Sequence, residues 1–286
     1  MALLSKKEVL NLKLKAIKSQ LLISLVDLLK IPKANTATEL IKNIVEINPD
    51  SHVIDDFIKR KYKEKIDERR KLISDEELIK ELHKIEKFSW GIVQGQLDQK
   101  IQMEYVRKYY RYDDLIKNIK STLHDDVTNY VMCTWFNHWT TVLIEEHIGL
   151  HPKVIPTVKN IKGVDIFFGD QPFDLKITYL PRGYSCDINN KKDLAIWMYE
   201  NQGAQRFGSD NRLFVVLIDE NNPNDSWKLK MDFDLVFKEI DDFFNNESVS
   251  GQDEIIFRYG RNTYTALAKV LLIKKNSKHN NVLRIS

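Results

Sequence analysis

Two neighbouring segments of this chain combine strand-forming residues with charged side chains. Asp165 interrupts one apolar run of the kind that forms a strand. Nine residues later, Asp174 and Lys176 flank Leu175 in a second run of the same kind. Burying an unpaired carboxylate or ammonium costs several kcal/mol, so charged groups that converge in a sheet usually serve a metal ion or a reaction. The pattern favours a fold that brings both runs together, and it favours an enzyme.

The alternation of side chains along a strand places Asp174 and Lys176 on one face and Leu175 on the other. Asp165 reaches the same place from the neighbouring strand. One reaction that such charged groups suit is hydrolysis of a phosphodiester, which needs a divalent cation, and Mg2+ prefers carboxylate, carbonyl and water oxygens. We therefore predict Asp165, Asp174 and the Leu175 carbonyl as metal ligands. Lys176 would position the attacking water or offset charge on the phosphate.

The helix that precedes these strands, Thr122 to His147, carries two acids near its end, and a carboxylate on its inward face would need a partner. At about 100° per residue, its apolar side chains form an inward stripe centred on Trp139. Glu146 lies about 20° from the centre of that stripe, whereas Glu145 lies about 120° away. We predict Glu146 as the catalytic acid of the helix, with Glu145 taking its place if the helix ends early.

The spacing of apolar residues changes part-way along the chain. A length of 286 residues suits one or two domains, and we expect two. Apolar residues recur at helical spacing from 6 to 87, whereas helices and strands alternate in the order α-β-β-β-α-β from 121 onward. We therefore expect an all-helical domain at residues 1–120. Residues 121–286 are predicted to form an α/β domain with a mixed β-sheet core flanked by helices.

The basic residues are concentrated in the first 120 positions, where 25 Lys and Arg face 19 Asp and Glu. Such a surface holds a polyanion through phosphate contacts, although a solvated helical surface has the same composition. Within it, Leu21 to Ile47 predicts a helix, an extended link around Pro32 and a second helix. This segment resembles SAP-type DNA-binding modules, and it is equally typical of an ordinary helical hairpin. The role of residues 1–120, in binding DNA or a protein, stays open.

Several classes of protein are disfavoured. The two cysteines, Cys133 and Cys186, fit neither a disulfide framework nor the spacing of a zinc site, which favours a reducing, cytoplasmic setting. No stretch approaches the ~20 apolar residues of a membrane span, so we expect a soluble protein without membrane association. The sequence has no Gly-rich phosphate loop and no Gly-x-Ser-x-Gly, which argues against an NTPase or a serine hydrolase.

The stretch from Thr122 to Ile218 resembles the PD-(D/E)xK nucleases, whose shared core is the restriction-endonuclease-like fold. The resemblance rests on Asp165, on Asp174-Leu175-Lys176 and on the order of elements around them. Members place an Asp at the start of the second core strand and (D/E)xK in the third, usually with a Glu on the preceding helix. The resemblance implies a Mg2+-dependent endonuclease of double-stranded DNA, of the type II restriction kind, in which Mn2+ can substitute. Because cutting both strands generally needs two active sites, a homodimer is expected.

Three residues outside the motif are candidates for DNA contact: Arg182, Gln205 and Arg206. A surface turn explains Arg182 equally well. Two alternative functions remain. One is a repair or recombination nuclease that recognises structure instead of sequence. The other is a catalytically silent DNA- or protein-binding module in which Asp165, Asp174 and Lys176 form a buried ion network.

Overall fold

This α/β protein combines helices with a six-stranded mixed sheet, and its computed structural model describes residues 3–88, 94–202 and 210–275. The helices are α1 (Lys6–Lys15), α2 (Ser19–Leu29), α3 (Ala37–Ile47), α4 (Ser51–Arg70), α5 (Asp75–Leu82), α6 (Gln94–Lys100), α7 (Tyr112–Asn118), α8 (His124–Leu150), α9 (Lys191–Gln202) and α10 (Phe233–Asn246). The strands are β1 (Val154–Ile161), β2 (Val164–Phe168), β3 (Gln171–Tyr179), β4 (Arg212–Asp219), β5 (Glu254–Tyr259) and β6 (Asn262–Lys275).

The sheet has the order β1-β2-β3-β4-β6-β5. The first three strands form an antiparallel meander, and β4 and β6 then continue the sheet in parallel with β3. Every residue of β4 is buried, as expected for a central strand covered on both faces. Since α8 precedes the meander and α9 joins β3 to β4, the predicted α-β-β-β-α-β order is confirmed. The hairpin of β5 with β6 adds an antiparallel edge that we did not predict in full.

The chain divides into two compact units. One holds the described residues of Met1–Leu72 and Ile144–Ser286, and the other holds those of Ile73–Leu143. This division differs from the expected boundary near residue 120, because the first four helices belong to the unit that contains the sheet. The all-helical segment is therefore not one continuous domain along the chain.

Backbone hydrogen bonds tie the N-terminal region to the sheet. The amides of Val158 and Lys159 in β1 both donate to the Ala16 carbonyl, at 3.2 and 2.8 Å. The Gln171 side chain accepts from the Leu4 amide at 2.8 Å and donates to the Leu4 carbonyl at 3.1 Å. Helices α1–α4 and strands β1–β2 also share one apolar core, which includes Leu14, Leu25, Ile44, Ile58, Ile155, Val158 and Phe167.

The predicted helix-link-helix of the SAP-like segment is confirmed as α2, an extended connector and α3. Lys30 ends α2 in the left-handed conformation, with φ of 56°. Thr36 begins α3 by accepting a hydrogen bond from the Glu39 amide at 3.2 Å. The geometry supports the local fold, and binding of DNA by this segment stays a prediction.

All the regular elements described in the second unit are helices. Tyr105 bonds Thr122 at 2.6 Å, and the Phe88 ring packs edge-to-face on Phe136 with centroids 5.2 Å apart. Residues 89–93 lie outside the described residues. Over the described parts of both units, no helix combines the length and apolar character needed to cross a bilayer.

Candidate active site

The antiparallel register of β2 and β3 brings Asp165 and Asp174 together. Ile166 pairs with Phe173, so the next opposed pair beyond it is Asp165 and Asp174. Asp165 Oδ2 accepts a hydrogen bond from the Leu175 amide at 2.8 Å. The two carboxylates therefore occupy one place on the sheet, as the residue spacing indicated.

Arg212 supplies a cation to this place from β4. It stands in register with Asp174 across the parallel pair, and its Nε lies 3.3 Å from Asp174 Oδ2. The Arg212 guanidinium also lies over the Tyr199 ring, 5.0 Å from the centroid. Lys176 is two residues beyond Asp174 on the same strand face, and it is exposed. The motif residues thus combine a half-buried carboxylate with a solvent-accessible amine.

Burial is the main influence on the protonation of the two aspartates. Burial raises the pKa of Asp165, against the opposing effect of the Leu175 hydrogen bond. Burial also raises the pKa of Asp174, and the charge of Asp165 raises it further. Arg212 and Lys176 lower the pKa of Asp174 without cancelling the rise. A cation bound between the carboxylates would offset this unfavourable charge.

Glu145 shares the electrostatic field of the aspartates. Burial, followed by the charge of Asp165, raises the pKa of Glu145 to about 7, and Asp174 adds to the rise. The charges of Lys230 and Lys65 act in the opposite direction. A carboxyl with this pKa holds or releases a proton near neutral pH, which suits proton transfer in a reaction.

Glu146 instead pairs with Arg69 of α4. Arg69 Nε donates to Glu146 Oε1 at 3.3 Å, and a second guanidinium nitrogen contacts Oε2. The two side chains are only 13% and 14% exposed, so this is a largely buried ion pair. Of the two candidate acids on this helix, Glu146 is thus held in an ion pair, whereas the charges of Asp165 and Asp174 act on Glu145. Which of them takes part in a reaction stays a prediction.

The buried stripe on α8 differs from the one that the sequence predicted. The helix continues to Leu150, so an early helix end is not the cause. In its last turns the buried side chains are Thr140, Leu143, Ile144 and Ile148. This stripe is rotated by roughly 100° from one centred on Trp139. The two glutamates lie on opposite sides of it, each more than about 100° from its centre. Aromatic residues had suggested the wrong inward face, since Trp135 is 36% exposed.

Lys230 belongs to the site although no sequence signal marked it. It lies in a 3₁₀ segment, Pro223–Met231, that follows β4, and its residue is only 3% exposed. Its Nζ stands 5.4 Å from the centroid of the Tyr179 ring. Burial, with a contribution from the charge of Lys176, lowers the pKa of Lys230 to about 8, while Glu145 opposes that shift.

Tyr62 of α4 also reaches the site. Its hydroxyl donates to the Glu145 carbonyl at 3.3 Å. Burial raises the pKa of Tyr62, and the charges of Glu146, Glu145 and Asp165 raise it further. The helical N-terminal region therefore contributes side chains beside the acids, which composition and periodicity did not indicate.

The oxygen atoms of the site suit a hard divalent cation, although the described side chains are not arranged as a complete set of metal ligands. Within 3–88, 94–202 and 210–275, no three His, Cys, Asp or Glu side chains are grouped closely enough to hold a metal ion. Asp165, Asp174 and the Leu175 carbonyl nevertheless offer the oxygen ligands that Mg2+ and Mn2+ accept. Burial is the largest cause of the raised pKa of both aspartates, so the folded protein holds two carboxyls that are partly withdrawn from water.

The candidates for DNA contact are only partly placed. Arg182 is exposed in the turn that follows β3. Gln205 and Arg206 lie outside the described residues. An exposed arginine after the strand that carries Asp174 remains available for phosphate contact, and that role stays a prediction.

Comparison with known proteins gives no family for this chain. No protein-family model, no curated protein and no solved structure matches it. Its function must therefore be inferred from its own residues and from the geometry of the site.

Proposed function

We propose that this chain is a Mg2+-dependent endonuclease that hydrolyses phosphodiester bonds of double-stranded DNA, of the type II restriction kind. The observation that carries the proposal is the opposed pair Asp165 and Asp174, with Lys176 two residues further along β3. The order α8-β1-β2-β3-α9-β4 supports a restriction-endonuclease-like core. Glu145 adds the acid that such sites take from the preceding helix.

Each residue has a distinct role in this proposal. Asp165, Asp174 and the Leu175 carbonyl would hold Mg2+, with Mn2+ as a substitute. The bound ion would stabilise charge on the phosphate and lower the pKa of the attacking water. The exposed amine of Lys176 binds the phosphate or orients the water. Glu145 accepts or returns a proton, since its pKa of about 7 keeps both protonation states populated at neutral pH.

A homodimer acting on a symmetric DNA site is part of the proposal. Two strands of a duplex run in opposite directions, so two copies related by a two-fold axis present one active site to each strand. Discrete fragments from phage and plasmid DNA would support this mode of action. Cutting confined to forks or flaps would instead indicate a structure-specific repair or recombination nuclease.

The test is a cleavage assay with purified protein on mixed plasmid and phage DNA, with and without Mg2+. Asp174→Ala and Lys176→Ala should each abolish Mg2+-dependent cleavage while DNA binding is largely kept. Asp234→Ala removes an exposed carboxylate from the first turn of α10 and serves as the matched control, with cleavage retained. Cleavage that persists in both motif variants would refute the proposal.

One observation favours a second candidate. Asp174 already has a cationic neighbour in Arg212, at 3.3 Å, and the acids of the described residues do not converge to ligating distance. A catalytically silent DNA- or protein-binding module would have such an ion network. It would bind its partner without Mg2+-dependent cleavage, so the same assay separates the two functions.

A further inference from the structure

Helix α4 runs along the end of α8 that carries the acids. The Tyr62 hydroxyl donates to the Glu145 carbonyl at 3.3 Å, and Arg69 pairs with Glu146. Tyr62 and Arg69 are seven residues apart, so they lie on the same side of the helix, two turns apart. The second half of α4 therefore turns this side toward the active site.

Lys65 lies between those two contacts on the same side of α4. It follows Tyr62 by three residues and precedes Arg69 by four, which are the spacings of neighbours on a helix face. Its Nζ is 5.8 Å from the centroid of the Tyr62 ring. Lys65 is exposed, whereas Tyr62 and Ile66 beside it are buried. An exposed ammonium group thus lies between the two residues of α4 that contact the acid-bearing end of α8.

Three other cations of α4 already have partners. Lys61 bonds Glu64 at 2.8 Å, Lys59 donates to the Pro152 carbonyl at 2.7 Å, and Arg69 holds Glu146. Lys65 makes no ion pair within 4.0 Å among the described residues, although its charge lowers the pKa of Glu145. It is close enough to the acids to act on them through space and remains available to an anion from solvent.

We infer that Lys65 binds a backbone phosphate of the nucleic acid beside the cleavage site, so that α4 forms one wall of the substrate cleft. The inference rests on the proposed function, because it names a residue that holds the same substrate. Lys176 on β3 and Lys65 on α4 then bring two exposed amines to the site from different elements. A nucleic-acid strand bound beside the acids would contact the positive charges of both lysines. These charges offset the repulsion between the phosphates and the carboxylates.

Binding of a short DNA duplex in EDTA, followed by fluorescence anisotropy over a range of salt, measures this contact without cleavage. Loss of one phosphate contact should reduce the slope of log K against log salt by about 0.9. We expect Lys65→Gln to show this change and to raise Kd roughly tenfold at low salt, while Lys65→Arg keeps the contact. Lys63→Gln is the matched control: Lys63 is exposed on the same helix, about 160° around its axis from Lys65.

A different role for Lys65 would be to act only through Glu145. Introducing Lys65→Gln into a Glu145→Gln background separates the two roles, since removal of the carboxylate abolishes any effect that depends on it. We expect the same roughly tenfold rise in Kd in both backgrounds. A Lys65→Gln effect that vanishes in the Glu145→Gln background, or that equals the Lys63→Gln effect, overturns the inference.

The result also distinguishes this inference from the proposed function. If the wild-type protein cleaves DNA and Lys65→Gln binds the duplex as the wild type does, only the role of Lys65 is refuted. If the wild-type protein neither binds nor cleaves DNA, both are refuted.

Discussion

Asp165 and Asp174 occupy opposed positions on β2 and β3, and the Leu175 amide next to Asp174 donates to Asp165 at 2.8 Å. This arrangement is local, because the two strands are joined by a tight turn and their register fixes which residues face each other. Desolvation raises the pKa of both carboxyls. The hairpin therefore holds two partly buried acids close together, with the Arg212 guanidinium beside Asp174.

Exchanging each helix glutamate for glutamine should separate a catalytic from a structural acid. We expect Glu145→Gln to lower the cleavage rate roughly 100-fold or more, because it removes a group able to transfer a proton. Glu146→Gln should keep most of the activity and cost about 1–3 kcal/mol of unfolding free energy, since Arg69 loses its charged partner. Cleavage kinetics and urea denaturation measure the two effects, and the reverse outcome would restore Glu146 as the catalytic acid.

Stability should decrease as the pH rises through the titration of Glu145. Its pKa rises from an ordinary value of 4.5 to about 7 on folding, so between these limits the folded protein binds a proton that the unfolded chain releases. Above pH 7 the penalty is complete, of the order of 2 kcal/mol after allowance for solvent screening. Glu145→Gln should weaken this fall in unfolding free energy, which urea denaturation at pH 5 and pH 8 measures. The unfolding free energy of Glu145→Gln should still fall somewhat as the pH rises, because the pKa values of Asp165 and Asp174 are raised as well.

Lys230 should affect stability in the alkaline range. Its pKa falls from 10.5 to about 8 on folding, so the folded protein binds fewer protons than the unfolded chain between these values. The cost of burying the ammonium is complete below pH 8 and is relieved as the pH rises toward 10.5. We expect Lys230→Met to be more stable than the wild type at pH 7, by about 1–2 kcal/mol, and to approach it at high pH. Parallel stability curves for the two proteins would contradict this assignment.

The order of elements and the pairing of the aspartates follow from local features of the sequence. Apolar runs bounded by turns define β2, β3 and β4 within a few residues, and one short turn sets the register that opposes Asp165 to Asp174. β5 was missed because Ile256 is 62% exposed between buried neighbours, which removes the polar alternation that marks a strand.

Long-range contacts account for what the sequence did not predict. The attachment of α1–α4 to the sheet depends on hydrogen bonds such as Val158 to Ala16, whose partners are more than a hundred residues apart. Which glutamate turns toward the aspartates depends on how α8 is rotated, and that rotation is set by packing. Lys230 enters the site from a 3₁₀ segment without periodicity, so its burial has no sequence signature.

Calorimetric titration with Mn2+ tests the central claim most directly, because it measures cation binding independently of any DNA sequence. The account predicts that the wild-type protein binds Mn2+ and that Asp165→Ala abolishes this binding, while Asp234→Ala leaves it unchanged. Asp165→Ala should remain folded by circular dichroism, which separates loss of a ligand from loss of the fold. An absence of Mn2+ binding in the wild type, or binding that survives Asp165→Ala, would contradict the assignment of a cation site to Asp165 and Asp174.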